Sequence, residues 1–135
     1  MSDPRYNKLA DVLVHHSIQL KKDENVLIEA IDIPEDMVIA LLCRIREAGG
    51  RPMVTIKNNR VQRELIKETD IQTMKHIADV EGGRMEKVQA YLGLRGSYNI
   101  SEMSDIASDK MALYEEHWLK PVHFNICVPK TKWCI

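Results

Sequence analysis

The sequence contains few aromatic residues, only three cysteines and almost no net charge. Phe, Trp and Tyr make up 5% of its 135 residues, so a surface on which nucleic-acid bases stack is not expected. The formal net charge of −1 also argues against nucleic acid as a partner, because such binding needs a basic face that neutralises phosphates. The three cysteines lie in apolar contexts, so we predict that they are reduced thiols in a cytoplasmic protein: Cys43, Cys127 and Cys134.

Long apolar runs are missing as well. No stretch approaches the roughly 20 residues of a membrane span, and no basic segment followed by a long apolar core marks a secretory signal. We therefore expect no membrane partner. The content of 44% hydrophobic and 29% charged residues is typical of a globular domain, and 135 residues can bury a core.

The first half of the chain reads as helix, strand, helix, strand. Apolar spacing predicts a helix over residues 4–20, with a buried face formed by Leu9, Val12, Leu13, His16 and Leu20. A buried strand follows over 25–30, then a helix that begins near 32–36 and ends at Gly49 and Gly50, and a second strand over 52–56. This order is a βαβ unit, whose two strands lie parallel.

The second half continues the alternation. We predict helices over 58–69 and 70–80, an interruption at Gly82 and Gly83, and a strand over 88–94. A last helix is expected to be capped by Ser104 and Asp105 and stopped by Pro121, before a fourth strand over 132–135. The predicted fold is a single α/β domain over residues 1–135: a three-layer sandwich with a mostly parallel sheet of four or more strands flanked by helices.

Histidines and cysteines do not predict a metal site. His15 and His16 are adjacent, whereas two ligands on one helix face need i, i+4 spacing, so we expect one to pack and one to face water. A second group lacks the tight pairs of structural zinc sites and is interpreted as packing residues: His117, His123, Cys127 and Cys134.

Other polar groups are explained by local structure. The acidic side chains Asp32, Glu35 and Asp36 suit a helix start, where the helix dipole favours negative charge. Loop and capping roles are expected for five residues: Asn99, Ser101, Glu102, Ser104 and Asp105.

Residues 93–96 lie where a strand ends, the usual place for ligands in α/β sheets, but they form no nucleotide-binding fingerprint. Arg95 is the strongest polar candidate there, expected to pair with an acid across an interface. We assign no catalytic, cofactor-binding or metal-binding residue.

The sequence ends in a run typical of a strand, with Trp133, Cys134 and Ile135 as its last residues. Such a run leaves apolar surface and unpaired backbone groups that need a partner. We therefore expect an amino-terminal piece of a longer protein.

Several motifs occur in an order that is similar to a known family. In sequence order they are YNKLA (6–10), ENVLI (24–28), YLGLRG (91–96), NISE (99–102), SD (104–105), SDKM (108–111), KPVH (120–123) and VPKTKW (128–133). The chain resembles the N-terminal domain of the thermophilic metallo-aminopeptidase family, of the aminopeptidase S and aminopeptidase T type. The run over 128–133 is the most specific part of the resemblance.

The resemblance implies a two-domain enzyme that removes N-terminal amino acids from peptides. Its C-terminal domain would hold two divalent metal ions (Zn, Co or Mg), and the N-terminal domain would act as a cap and in homodimer packing. No metal ligand of the family falls on a residue of this chain, so the resemblance implies that the chain alone is inactive.

Two alternatives from other classes stay open. One is a free-standing α/β interaction or regulatory module without catalysis, although residues 30–34 offer no phosphate loop for a flavin. The other is an oligomerisation domain that uses an open sheet edge.

Overall fold

The structure is a computed structural model that describes residues 3–96 and 105–135. Its strands are β1 (Asn25–Ile31), β2 (Arg51–Lys57), β3 (Ala90–Arg95) and β4 (Lys132–Cys134). They form one sheet in the order β2-β1-β3-β4, and each neighbouring pair is parallel. Helices cover both faces of this sheet, so the predicted three-layer α/β fold is confirmed, with a sheet that is parallel throughout the described ranges.

The first two helices pack on one face of the sheet. Helix α1 (Pro4–Val12) continues into a π-helical turn over Leu13–Ser17, and α2 covers Glu35–Glu47. Asp3 caps α1, because its carboxylate accepts a hydrogen bond of 2.9 Å from the backbone N–H of Arg5.

The predicted buried face of the first helix is right for Leu20, which is buried, and for Leu13, which packs against the same core, but wrong elsewhere. Ala10, Val14 and Ile18 are buried, whereas Leu9 and Val12 are about half exposed. These buried residues form a second stripe with i, i+4 spacing. The small Ala10 side chain lets the helix pack closely on the hydrophobic core that it shares with α2. The wider π-helical turn also changes which residues face inward beyond Leu13.

The end of α2 follows the prediction. Gly49 adopts a left-handed φ of +82°, and the Gly50 N–H donates to the carbonyl of Ile45 at 3.0 Å. A residue with a Cβ would be strained in this conformation, so the glycine lets the chain turn directly into β2.

The remaining helices pack on the opposite face. They are α3 (Asn59–Lys67), α4 (Ile71–Met85), α5 (Ser108–Tyr114), a π-helical continuation of α5 over Glu115–Cys127, and α6 (Val128–Lys130). In the described part of the chain no helix is both long and apolar enough to cross a membrane.

Two predicted helix breaks do not occur. Helix α4 runs through Gly82 and Gly83, and a Cβ on Gly82 would lie 3.2 Å from Ile126, so this glycine permits close contact with the π-helical segment. That segment also continues through Pro121. Proline in an α-helix clashes with the carbonyl four residues earlier, and the wider π-helical turn relieves this clash.

The predicted start of α5 also needs correction. The helix begins at Ser108 after the N-cap residue Ala107, and Asp105 instead pairs with Arg63 of α3. The other half of the predicted cap, Ser104, lies outside the described residues, as do Asn99, Ser101 and Glu102.

The sheet separates two hydrophobic cores. The first contains α1, α2 and inward residues of the strands, including Val26, Ile28 and Leu92. The second contains α4 and the π-helical segment, and it includes Leu27 and Tyr91 from the other sheet face. The alternation of side chains along a strand explains this division.

Candidate functional site

A group of charged side chains lies on the sheet face that carries the second core. In the register of the sheet, Ile31 of β1 pairs with Lys57 of β2 and with Arg95 of β3. Neighbouring residues in register point to the same face, and Glu29 lies two residues before Ile31, also on that face. The parallel register therefore brings Glu29, Lys57 and Arg95 together near the carboxyl ends of three strands.

Arg95 and Tyr91 bind Glu29 from β3. The Nη2 group of Arg95 donates to Glu29 Oε1 at 3.0 Å and to the Tyr91 hydroxyl oxygen at 2.8 Å. The Tyr91 hydroxyl donates in turn to Glu29 Oε1 at 3.1 Å. The acid that pairs with Arg95 is thus on the neighbouring strand of the same chain, which corrects the expectation of a pairing across an interface.

Lys57 extends these contacts to α4 and the π-helical segment. Its Nζ lies 3.3 Å from Glu29 Oε2 and 3.2 Å from Glu81 Oε2. The indole Nε1–H of Trp118 donates to Glu81 Oε1 at 2.8 Å, and Lys57 Nζ lies 4.9 Å from the centre of the Trp118 ring. We call Glu29, Lys57, Glu81, Tyr91, Arg95 and Trp118 the charged network.

A cavity of about 320 Å³ lies over the charged network. Aromatic and apolar side chains from helical segments complete its walls: Tyr114, Leu119, Val122, His123 and Phe124. The His123 ring stands edge-on to Tyr91, with 6.4 Å between the ring centroids. We call this cavity the pocket; it combines a charged floor with aromatic walls.

The floor of the pocket is electrically balanced. Lys57 and Arg95 contribute two positive charges, and Glu29 and Glu81 contribute two negative ones. Burial and the positive charge of Arg95 lower the pKa of His123, so its ring is neutral at pH 7. The charges are also partly shielded from water, because the side chains of Glu29 and Glu81 are each 14% exposed.

The tyrosine hydroxyls of the pocket and the nearby Cys127 thiol stay protonated. Burial raises the pKa of Tyr91 well above its usual range, and the Glu29 carboxylate adds to this shift, so the hydroxyl stays protonated. Burial likewise raises the pKa of the Tyr114 hydroxyl and of the Cys127 thiol. A buried thiol that is kept protonated is a poor nucleophile.

The donor set of the pocket does not fit a divalent metal ion. Glu29 and Glu81 already take hydrogen bonds and positive charge from Arg95, Lys57 and Trp118. Across residues 3–96 and 105–135, no group of three or more His, Cys, Asp and Glu side chains could hold a metal. The residues present in this part of the chain thus give no metal centre from which a catalytic step could be derived.

The other candidates from the sequence have separate positions. His15 and His16 are both exposed, which corrects the expectation that one of them packs, because the buried stripe of the helix passes through Val14 and Ile18. The thiols of Cys43 and Cys134 are half-buried, and Cys127 is buried.

The second candidate group divides between two different surroundings. His123 lines the pocket, whereas His117 lies on another surface beside α4.

The carboxyl ends of β1 and β3 are closed by backbone contact. The Gly96 N–H donates to the Ile31 carbonyl at 2.7 Å, and a Cβ on Gly96 would clash with the carbonyl oxygen of Asp32. Gly96 is therefore required for this close approach of the two chain segments. Asp32 has a left-handed φ of +54° and accepts a hydrogen bond from the Asn59 N–H, so it lies in the turn rather than in the first turn of α2.

Sequence reasoning found Arg95 but missed Glu29, Lys57 and Glu81. The available signal was Glu29, a charged residue within a strand whose other residues are apolar apart from Asn25. Its burial requires a partner, and the in-register ends of the neighbouring strands supply Lys57 and Arg95. Glu81 could not be found in this way, because its contact depends on how α4 packs on the sheet.

The chain is similar in sequence to a known protein family and in structure to a solved protein. A sequence model of the family described as "Thermophilic metalloprotease (M29)" matches residues 2–135. No curated protein matches the chain. Among solved structures, the chain is similar to wild-type AmpT from Thermus thermophilus, with a TM-score of 0.73 and 17% sequence identity. The match covers 96% of this chain and 34% of the AmpT chain, so this chain spans about a third of the length of that relative.

Proposed function

Since the chain belongs to the thermophilic metalloprotease (M29) family, we propose that it is the N-terminal domain of a metal-dependent aminopeptidase. The whole enzyme would remove N-terminal amino acids from peptides, using two divalent metal ions (Zn, Co or Mg). The observation that carries the proposal is the family match over residues 2–135. The length supports it, because the chain is about a third as long as AmpT.

The proposed role of this domain is that of a non-catalytic cap that takes part in homodimer packing. The proposed lack of activity is supported by Glu29 and Glu81, whose charges are neutralised by Arg95 and Lys57. The metal ions of the whole enzyme would be bound by residues other than those described. A cytoplasmic location is supported by the three free thiols.

An activity assay tests this proposal. The purified chain is incubated with amino-acid anilides and with cobalt, zinc or magnesium, next to a blank that contains metal and substrate only. We expect hydrolysis no faster than the blank. Turnover that co-elutes with the protein in gel filtration would overturn the assignment of an inactive domain.

The family part of the proposal has its own test. We expect the gene to continue beyond codon 135 with a region rich in Glu, His and Asp metal ligands. A stop codon directly after Ile135 would contradict the two-domain enzyme. Light scattering across a range of protein concentrations tests the dimer, for which we expect a mass near twice that of the 15.6 kDa chain.

A free-standing binding module is the second candidate function. The observation that favours it is the pocket, since every side chain of the charged network comes from this one chain. This candidate requires a ligand but no second domain, so the gene sequence and the binding experiment below distinguish it from the peptidase proposal.

A further inference from the structure

The pocket has the chemistry of a site for a small dipolar molecule. From the alternating charges of its floor and its aromatic walls, we propose that it binds a free α-amino acid or a similar small zwitterion. This inference does not rest on the peptidase proposal, because it uses only side chains of the described chain.

Arg95 supplies a binding group for a carboxylate. Its side chain is 37% exposed, the largest exposure among the ion-paired residues of the charged network. Its two Nη groups bind Glu29, Tyr91 and Leu94, but its Nε–H has no hydrogen-bond partner within the described ranges. This N–H can donate a hydrogen bond to the carboxylate of a ligand while the guanidinium keeps its structural contacts.

The two glutamates supply binding groups for an ammonium. Glu81 accepts hydrogen bonds from Lys57 and Trp118, and Glu29 accepts from Arg95 and Tyr91. An ionised carboxylate has about four lone-pair sites, so each retains acceptor capacity. The Tyr114 ring, which also lines the cavity, would further favour a cation beside it.

The balance of charge selects against ions of a single sign. Lys57 and Arg95 already neutralise Glu29 and Glu81, so a simple anion or cation would bring an uncompensated charge into a partly buried site. A zwitterion adds one charge of each sign and keeps the site neutral. The cavity of about 320 Å³ is at the small end of known ligand pockets, which suits an amino acid rather than a dinucleotide.

Tryptophan fluorescence tests the proposal on the intact chain. The sequence has two tryptophans, so Trp133→Phe leaves Trp118, which contacts the pocket, as the only reporter. The protein is titrated with L-leucine, with N-acetyl-L-leucine, which lacks the ammonium, and with L-leucinamide, which lacks the carboxylate. We expect a saturable change with L-leucine and affinity at least tenfold weaker for each derivative.

Variants identify the binding groups. We expect Arg95→Gln and Glu81→Gln each to weaken L-leucine binding about tenfold. The matched control is Arg51→Gln, which removes a surface arginine that pairs with Asp23 and should leave affinity unchanged. Circular dichroism checks folding, and if Arg95→Gln fails to fold, the ligand series on the otherwise unchanged chain still decides.

Three results would overturn the inference. Equal affinity for L-leucine and N-acetyl-L-leucine would indicate an anion site, and equal affinity for L-leucinamide would indicate a cation site. If no saturable change occurs up to about 10 mM ligand, the pocket binds no amino acid. That concentration corresponds to a free energy of binding weaker than about 3 kcal/mol.

Discussion

Lys57 is the residue whose loss tests the charged network most directly. It lies between two carboxylates, 3.3 Å from Glu29 Oε2 and 3.2 Å from Glu81 Oε2, and its own side chain is 15% exposed. Lys57→Met keeps most of the side-chain volume and removes the positive charge. Two partly buried carboxylates would then lose the cation that they share.

The expected loss of stability is about 3 kcal/mol. Removing one partner of a buried ion pair costs about 3–5 kcal/mol, because the remaining charge stays buried without compensation. The lower end applies here for two reasons. Glu29 keeps its contacts with Arg95 and Tyr91, and Glu81 keeps the hydrogen bond from Trp118.

Urea unfolding at pH 7 measures this loss. With a dependence of about 2 kcal/mol per molar urea, the midpoint should fall by about 1.5 M. Lys75→Met is the matched control, because Lys75 is exposed on α4, and it should change stability by no more than about 0.5 kcal/mol.

A double variant separates the ion pair from simple packing. In Lys57→Met/Glu81→Met, the carboxylate that lost its partner is also removed, so the total loss should be smaller than the sum of the two single losses. If Lys57→Met behaves like the Lys75→Met control, or if the two losses simply add, the charged network does not stabilise the fold through the ion pairs of Lys57.

Three further predictions concern other contacts. Gly96→Ala places a Cβ against the Asp32 carbonyl and should lower the free energy of unfolding by more than about 2 kcal/mol in urea melts, whereas an unchanged midpoint would show that Gly96 and Asp32 can separate easily. Asn58→Ala removes the side chain that accepts from two N–H groups at the start of α3, and should cost about 1 kcal/mol, with a negligible effect contradicting the capping role. Burial would raise the pKa of Glu24, but hydrogen bonds from Lys132 and a backbone N–H outweigh it and lower the pKa. The stability that this pair contributes is therefore complete above about pH 4.5 and is lost as the pH falls below that value. In Lys132→Met, the melting temperature should fall less steeply with pH in this range than in the unchanged chain.

The strands were the most predictable part of the fold. Parallel strands in the middle of a sheet are buried on both faces, so their apolar runs stand out, as Val26–Ile28 and Leu92 do. The capping residues of α1, α3 and α4 also act locally, through side chains that bind the next backbone N–H groups. The family resemblance, which the sequence motifs carry along nearly the whole chain, is confirmed by the family match over residues 2–135.

The errors arose where tertiary packing overrides local preference. Gly82 and Pro121 are unfavourable in an isolated α-helix. Gly82 permits close contact with Ile126, and Pro121 lies within a π-helical segment. Leu9 and Val12 form an apolar stripe as well, and tertiary packing on the core formed by α2 and the strands selects the other one. The pocket was missed for a related reason, since Glu81 comes from a helix whose placement no local pattern specifies.

The division of the sheet into two sides has a consequence for folding order. The β1–β2 pairing joins residues such as Val26 and Pro52, whereas the β1–β3 pairing must bring Ala90 to the same Val26. Closing the longer loop loses more chain entropy, and contacts between distant residues form more slowly. The amino-terminal half can therefore become ordered first and act as a template for β3. The sheet face that carries the charged network becomes complete only after β3 has paired with β1.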